Sequence, residues 1–233
     1  RQRQMCIRDS MKTQLLQAIL PHVAFDGWSQ TAFYQACEDS GIELSHARLA
    51  CPRGALDLAI LFHDLGDKAM QLRILEHDFS TMRFRDKVAT AVRFRLESVE
   101  DKEAVRRGAT LFALPQNAAS GARLIWGTAD AIWSGLGDGS VDVNWYTKRA
   151  TLSAVYGACV LFWLGDESPD HVATWEFLDR RIENVMQVEK VKSKVRENSP
   201  LQQLLSGPNW LISKIKSPGS KLWKEAPVNW NKS

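Results

Sequence analysis

No apolar run in this 233-residue sequence is long enough to cross a bilayer; the longest, Ala154 to Leu164, is far short of the roughly 20 residues a spanning helix needs. The start shows no charged-then-apolar leader with a small-residue cleavage site, so a cytoplasmic address is expected. Cysteine is sparse. Cys6, Cys37, Cys51 and Cys159 form no CxxC pair, which excludes a zinc ribbon and a disulfide framework and leaves buried free thiols. Walker, GxGxxG, HExxH and GxSxG motifs are all missing, so neither an enzyme nor a cofactor is expected. His63-Asp64 is the one dipeptide suggesting an all-helical metal phosphohydrolase, with His46, Glu76, His77 and Asp78 as further donors. A dipeptide specifies neither ligands converging from separate helices nor the hydrogen bonds that orient them, so no metal site is expected.

What is present is helical periodicity. Gly, Pro and Asp/Ser clusters separate segments whose apolar residues recur at three and four, and no stretch alternates as a strand would. Leu15, Ile19 and Val23 line a first helix ending near Asp26-Gly27. Ala32, Phe33, Ala36 and Cys37 line a second ending at Ser40-Gly41. A short third follows Ser45 and stops at Pro52-Arg53-Gly54. A fourth, carrying Leu56, Ile60 and Leu61, is expected to end near Leu65-Gly66. Val88, Val92 and Leu96 mark a fifth, with Arg83, Arg85, Lys87, Arg93 and Arg95 expected as its solvated face. Further helices are expected at about 102–114, 117–136, 143–164 and 170–195. Trp126, Trp133, Trp145, Trp163 and Trp175 give this half more apolar area than a thin helical layer needs. Either the core is bulky or the helices surround a cavity for an apolar guest.

The two ends differ from the middle. Met5-Cys6-Ile7-Arg8-Asp9-Ser10 can be encoded by ATG TGT ATA AGA GAC AG plus one base, which resembles a transposon adapter; residues 1–10 are therefore read as adapter-derived, with the native start at Met11. From Gln187 to Ser233 nine Lys/Arg face three Glu, a net charge of +6. Leu201, Leu204, Leu205, Leu211, Ile212 and Ile215 recur there at helical spacing, with Trp210 and Trp223 beside lysines. An apolar stripe, interfacial aromatics and lysines suit a helix lying on an anionic membrane surface. Packing of that helix on its own domain is the alternative.

The first 65 residues resemble the helix-turn-helix head of TetR-type repressors, so a repressor with a hydrophobic effector is the rival reading. Such a head holds DNA by neutralising phosphates. Yet residues 11–70 carry Lys12, Arg48, Arg53 and Lys68 against seven acidic residues, net −3. The recognition-helix candidate, Ser45 to Ala50, has one certain cation and no Asn or Gln to read a base edge. No nucleic-acid partner is expected.

Six blocks in order carry a closer likeness: Leu20-Pro-His-Val-Ala-Phe-Asp-Gly-Trp28, Pro52-Arg-Gly-Ala-Leu-Asp-Leu58, Asp101-Lys-Glu-Ala-Val-Arg-Arg107, Ala113-Leu-Pro-Gln-Asn-Ala118, Asp142-Val-Asn-Trp-Tyr-Thr-Lys-Arg-Ala150 and Phe177-Leu-Asp-Arg-Arg-Ile-Glu-Asn-Val-Met186. Over about residues 12–216 the chain resembles the coenzyme Q biosynthesis protein nine family in its alphaproteobacterial form. The resemblance implies an all-α, TetR-like fold of about nine to ten helices with a vestigial helix-turn-helix head and a C-terminal amphipathic helix. The corresponding boundaries are 11–66 for the head, 67–195 for a lipid-binding body and 196–233 for the membrane-associated tail.

The resemblance also implies a non-catalytic accessory protein, peripheral to the inner membrane, that presents isoprenoid quinone intermediates to the di-iron demethoxyubiquinone hydroxylase. By position the family's partner patch falls on Trp145 and Tyr146, with Asp142 and Arg149 as flanking candidates. Arg149 as an ion-pair partner of Asp142 is the structural alternative. Spacing puts Trp145 on the face of Leu152, Tyr156, Cys159 and Trp163, and Tyr146 on a polar stripe, expected to be exposed. Expected lipid-lining residues are Phe112, Ile132, Trp133, Val155, Phe162, Trp175 and Leu178. The membrane-binding residues implied are Leu201, Leu204, Leu205, Trp210, Leu211, Ile212 and Ile215. Homodimerisation, as in TetR relatives, is left open.

Overall fold

A computed structural model of the chain describes residues 2–140 and 143–197. Among them the fold is all-helical: α1 (Gln2–Asp26), α2 (Gln30–Ser40), α3 (Leu44–Ala50), α4 (Ala55–Glu76), α5 (Phe84–Glu97), α6 (Lys102–Ala113), α7 (Ala118–Gly135), α8 (Val143–Gly165) and α9 (Val172–Glu197). The boundaries follow local chemistry. Ser29 Oγ accepts from the Ala32 amide at 3.1 Å and Asp101 from the Ala104 amide at 2.9 Å, each satisfying an orphan donor of a first helical turn. Gly41 ends α2 in the left-handed conformation, φ 66°, and donates to the last carbonyls, a geometry that costs glycine nothing. Helix α1 passes through Met11 without a break.

Two apolar cores result. In the head, Leu15, Ile19 and Val23 of α1 close on Ala32, Phe33 and Ala36 of α2, Ala47 and Ala50 of α3, and Leu58 at the start of α4. In the body, Met70 and Ile74 of α4 pack with Val92 and Leu96 of α5, Ile132 of α7, and Cys159 and Trp163 of α8, with α9 adding Leu178 and Ile182. Helix α6 ties the two together: Trp28 Nε1 donates to the Ala104 carbonyl at 3.0 Å, and Arg107 Nη2 to the Ala24 carbonyl at 2.8 Å.

Two expectations about helices are corrected here. Helix α4 does not stop at Gly66 but runs to Glu76, so position 66 lies in mid-helix. A Cβ at Gly66 would lie 2.6 Å from Arg95 Nη1 and 2.7 Å from its Cζ, so this glycine serves close approach, not termination. Arg95 accordingly leaves the expected solvated stripe: it is 4% exposed and pairs with Asp67 through Nε at 2.6 Å. The periodicity already carried this, because Arg95 stands seven residues after Val88 and three after Val92, on the apolar face.

Candidate functional site

Small side chains that α6, α7 and α8 turn inward leave space between head and body. Ala104, Gly108 and Ala109, then Gly121 and Ala122, then Gly157, face one another across a cavity of about 310 Å³, closed by Trp28 and by Ala59 and Phe62 of α4. That volume is at the lower end of the range of small-molecule sites. Its depth is read from burial along the helices. On α8 exposure climbs from 3% at Tyr156 to 67% at Leu161, and on α7 Thr128 is fully buried while Ala122 is exposed. The mouth lies at Ala113, Ala122 and Leu161, and the floor at His63, Arg95 and Tyr156.

The floor is polar and internally bonded. Thr128 Oγ1 lies 2.9 and 3.0 Å from the two oxygens of Asp67 and 3.2 Å from the Leu124 carbonyl, the acceptors available to its one proton. His63 Nε2 is 2.9 Å from the same hydroxyl. Arg95 Nε reaches Asp67 at 2.6 Å, and Nη2 the His63 carbonyl at 3.1 Å. Burial, reinforced by the Arg95 charge, pulls His63 down to about 4, so the ring is neutral near neutral pH. Burial also raises the Tyr156 phenol and keeps it protonated. The cluster therefore holds one cation and one anion, matched to each other.

Of the expected lining residues, Phe112 borders this cavity. Trp133 and Val155 border a second hollow of about 280 Å³, between α5, α8 and α9. Ile132 and Leu178 are buried in the body core. Phe162 stacks on Phe177 near the surface, ring centroids 4.5 Å apart, and Trp175 donates from Nε1 to the Asp170 carbonyl at 2.8 Å with Arg93 over its ring. Neither of these two borders either hollow. His63, Asp67, Arg95, Thr128 and Tyr156 were not read from the sequence as one site, because they come from four helices and meet only on packing.

At the start of α8, Trp145 and Tyr146 are both half-buried and meet edge to face, 4.8 Å between centroids; Trp126 lies 6.1 Å from Trp145. Tyr146 is thus less open than its polar stripe suggested. Arg149, the flanking candidate, lies beneath this pair. It is 2% exposed, pairs with Asp130 and Asp138, and places its guanidinium 4.0 Å from the Trp145 ring centre, so it positions the tryptophan from within. Burial works against charge on Asp138, but hydrogen bonds from Lys148, Ser140 and Arg149 outweigh it and hold the carboxyl at about 2. Asp142 lies outside the described residues, as do Leu201, Leu204, Leu205, Trp210, Leu211, Ile212 and Ile215.

Two of the head's four cations, Arg48 and Arg53, are already engaged. Arg48 lies over the Phe33 and Tyr34 rings at 5.2 and 5.8 Å, and Arg53 pairs with Asp57 at 2.6 Å. Helix α3 exposes Leu49 at 73%. Cys37, Cys51 and Cys159 are buried free thiols, and burial pushes Cys159 up to about 12. Among the described residues no group of three or more His, Cys, Asp or Glu is placed to hold a metal ion, and no helix is long and apolar enough to cross a membrane.

Residues 118–189, from α7 into α9, match the family model described as COQ9. The chain is similar to the probable ubiquinone biosynthesis protein coq9, mitochondrial, of Dictyostelium discoideum, 28% identical over 198 residues, 80% of this chain and 63% of that protein. It is likewise similar to the mitochondrial ubiquinone biosynthesis protein COQ9 of Rattus norvegicus, 29% identical over 81% of this chain and 62% of that one. With COQ9 of Xenopus tropicalis the figures are 31%, 76% and 58%. The chain spans less than two-thirds of the length of these relatives. Among solved structures, a TetR transcriptional regulator from Nitrosomonas europaea ATCC 19718 superposes with a TM-score of 0.61 at 17% identity, covering 75% of this chain and 97% of that one, a likeness of fold alone. The likeness to the COQ9 family of ubiquinone biosynthesis proteins, to which the six sequence blocks pointed, is thereby shown over about four-fifths of this chain, on an all-helical TetR-like fold.

Proposed function

We propose that this chain is a non-catalytic lipid-binding accessory protein of ubiquinone biosynthesis, which takes up isoprenoid quinone intermediates and presents them to the di-iron demethoxyubiquinone hydroxylase at the membrane surface. The observation that carries the reading is the apolar cavity of about 310 Å³ between head and body in a chain similar to COQ9. A polyprenyl chain is almost insoluble in water, and each buried CH₂ contributes about 0.8 kcal/mol. A hollow of alanine, glycine and phenylalanine replaces the bilayer for part of such a chain. Trp145 and Tyr146, set by the buried Arg149, offer the rigid aromatic contact that partner surfaces favour. The basic, apolar sequence around Leu204 to Ile215 supplies the membrane contact.

A DNA-binding role is the weaker reading, since the head is net negative and Arg48 and Arg53 are already engaged. Mass spectrometry of lipids carried through purification tests the proposal: isoprenoid lipids are expected, and a lipid-free protein that shifts random duplex at low salt would reverse it. Tyr146→Ala is expected to weaken co-purification with the hydroxylase while leaving the thermal midpoint unchanged; unaltered co-purification removes this patch from the reading.

A further inference from the structure

The mouth of the cavity opens between two stretches of chain that carry no charge. From Gly108 to Ala122, across the end of α6, the turn and the start of α7, no side chain is charged, and the same holds along α8 from Ala150 to Gly165. The two stretches meet where Ala113, Ala122 and Leu161 border the opening. They show hydrocarbon to solvent there. Leu161 is 67% exposed, Leu114 42% and Phe162 37%, with Ala118 and Ala119 exposed at the start of α7. Thr110 and Gln116 are the exposed polar side chains between 108 and 122. Single leucines on a surface mean little, but apolar side chains gathered around the opening of an apolar cavity mark a contact surface.

The turn between α6 and α7 satisfies much of its own backbone. The Asn117 amide donates to the Leu114 carbonyl at 2.9 Å, Asn117 Nδ2 to the Leu111 carbonyl at 3.1 Å, and the Gly121 amide to the Asn117 carbonyl at 3.0 Å. Pro115 has no amide hydrogen to satisfy. Groups bonded within the chain cost less to remove from water than groups that water alone satisfies. Charge stands at the margins of the turn. Arg106 and Arg107 precede the uncharged stretch and Arg123 follows it; Glu103, 3.0 Å from each of the first two, is the acid paired with them. Three cations against one anion, around an apolar centre, complement an anionic lipid surface: hydrocarbon enters the interface while guanidinium groups stay at the level of the head groups.

We propose that the cavity mouth itself docks on an anionic phospholipid bilayer, with the turn at Leu114 and the exposed Leu161 entering the interface. This is a membrane contact of the folded body, separate from the basic C-terminal stretch. It rests on the lipid-binding reading above and adds the place where lipid crosses. A hydrocarbon guest that passes between bilayer and hollow at this mouth never meets water, so the hydrophobic penalty that holds such a chain in the membrane is not incurred on the way.

Flotation of the full chain with vesicles of equal parts phosphatidylcholine and phosphatidylglycerol, read together with amide hydrogen exchange, tests the contact. Vesicles are expected to slow exchange in peptides covering residues 110–121. Leu114→Asp and Ala119→Asp are each expected to lower the vesicle partition coefficient about tenfold, by removing an apolar anchor or driving a carboxylate into the interface. Ala119→Asp places its acid in the first turn of α7, where none stands now and where the helix dipole favours it, so it serves if Leu114→Asp does not fold. Gln71→Asp adds the same charge at an exposed position of α4 that borders neither hollow, and is expected to change partition by less than about twofold. An equal loss in all three variants, or exchange slowed only beyond residue 197, overturns the docking; isoprenoid lipid still carried by these proteins leaves lipid binding standing. Exchange at 110–121 slowed by the purified hydroxylase and not by vesicles gives this surface to a protein partner and overturns the docking as well. A chain that docks through the mouth yet carries no lipid upholds the contact and sinks the lipid-binding reading.

Discussion

Head and body are made of the same amphipathic helices and reach opposite outcomes. In the head, alanines at 32, 36, 47 and 50 let α1, α2 and α3 close until Leu15, Ile19 and Phe33 are wholly buried, and small side chains there mean tight packing. Where head meets body, small residues at 104, 108, 109 and 157 of α6 and α8 border a hollow together with Trp28, Phe62 and Phe112, so the same residue types line empty space, while Gly121 admits the Phe112 side chain, 2.8 Å from where its Cβ would stand. Polar groups divide likewise. The head's ion pairs lie at the surface, whereas the body buries Arg95–Asp67 and Arg149–Asp138.

The largest expected effect contrasts the two kinds of ion pair. Arg95→Met leaves Asp67 buried without its cation and is expected to cost about 3–5 kcal/mol in urea unfolding. Arg53→Met, which breaks the half-exposed pair with Asp57, is expected to cost less than about 1 kcal/mol. Similar values for both would erase the distinction between head and body.

Next is acid sensitivity. His63 has a native pKa of about 4 against 6.5 for the model group, so between these values the unfolded chain binds a proton that the native state does not. Stability is therefore lost as pH falls from about 6.5 to about 4, by up to roughly 3 kcal/mol, and levels off below. Asp67 and Arg95 face the same ring, and burial raises the neighbouring Asp64, which works in the opposite direction, so the comparison is with His63→Gln. The variant should lack this slope. Asp138, held at about 2, loses its contribution only below about pH 4, a separate window.

The smallest effect on stability should accompany a large effect on ligand. A Cβ at Gly157 would lie 3.6 Å from Ile125 Cδ1, an ordinary contact, so Gly157→Leu extends into the hollow rather than into the packed wall. Its unfolding free energy is expected to change by less than about 1 kcal/mol while co-purified lipid disappears from the mass spectrum. Retained lipid would place the guest elsewhere, with the hollow bordered by Trp133 and Val155 the next place to look.

Much of the helical plan was legible in the chain. The ends of α1 and α2, the start of α6 and the turns around α7 and α8 follow from Asp26-Gly27, Gly41, Asp101, Pro115 and Gly137, because caps and left-handed glycines act within one turn. The buried thiols were legible from their spacing. Gly66 and Arg95 misled for one shared reason: a glycine looks the same whether it ends a helix or admits a guanidinium, and only the partner helix distinguishes the two. Of the residues expected to line a cavity, Phe112 borders the larger hollow and Trp133 and Val155 the smaller, while Ile132 and Leu178 fill the core. Periodicity tells which face is apolar, not whether that face meets a neighbour or a void.

The sequence by itself determined the all-helical plan of the described residues, the near order of those helices, the acidic head and the family likeness, since periodicity, capping and charge are properties of neighbours along the chain. Tertiary packing alone decided that His63, Asp67, Arg95, Thr128 and Tyr156 form one balanced polar floor, and that Arg149 lies under Trp145 paired with Asp130 and Asp138. Apart from Arg149 and Trp145, neighbours one turn apart on α8, these contacts join residues 11 to 65 positions apart, and such distances are closed only when helices pack.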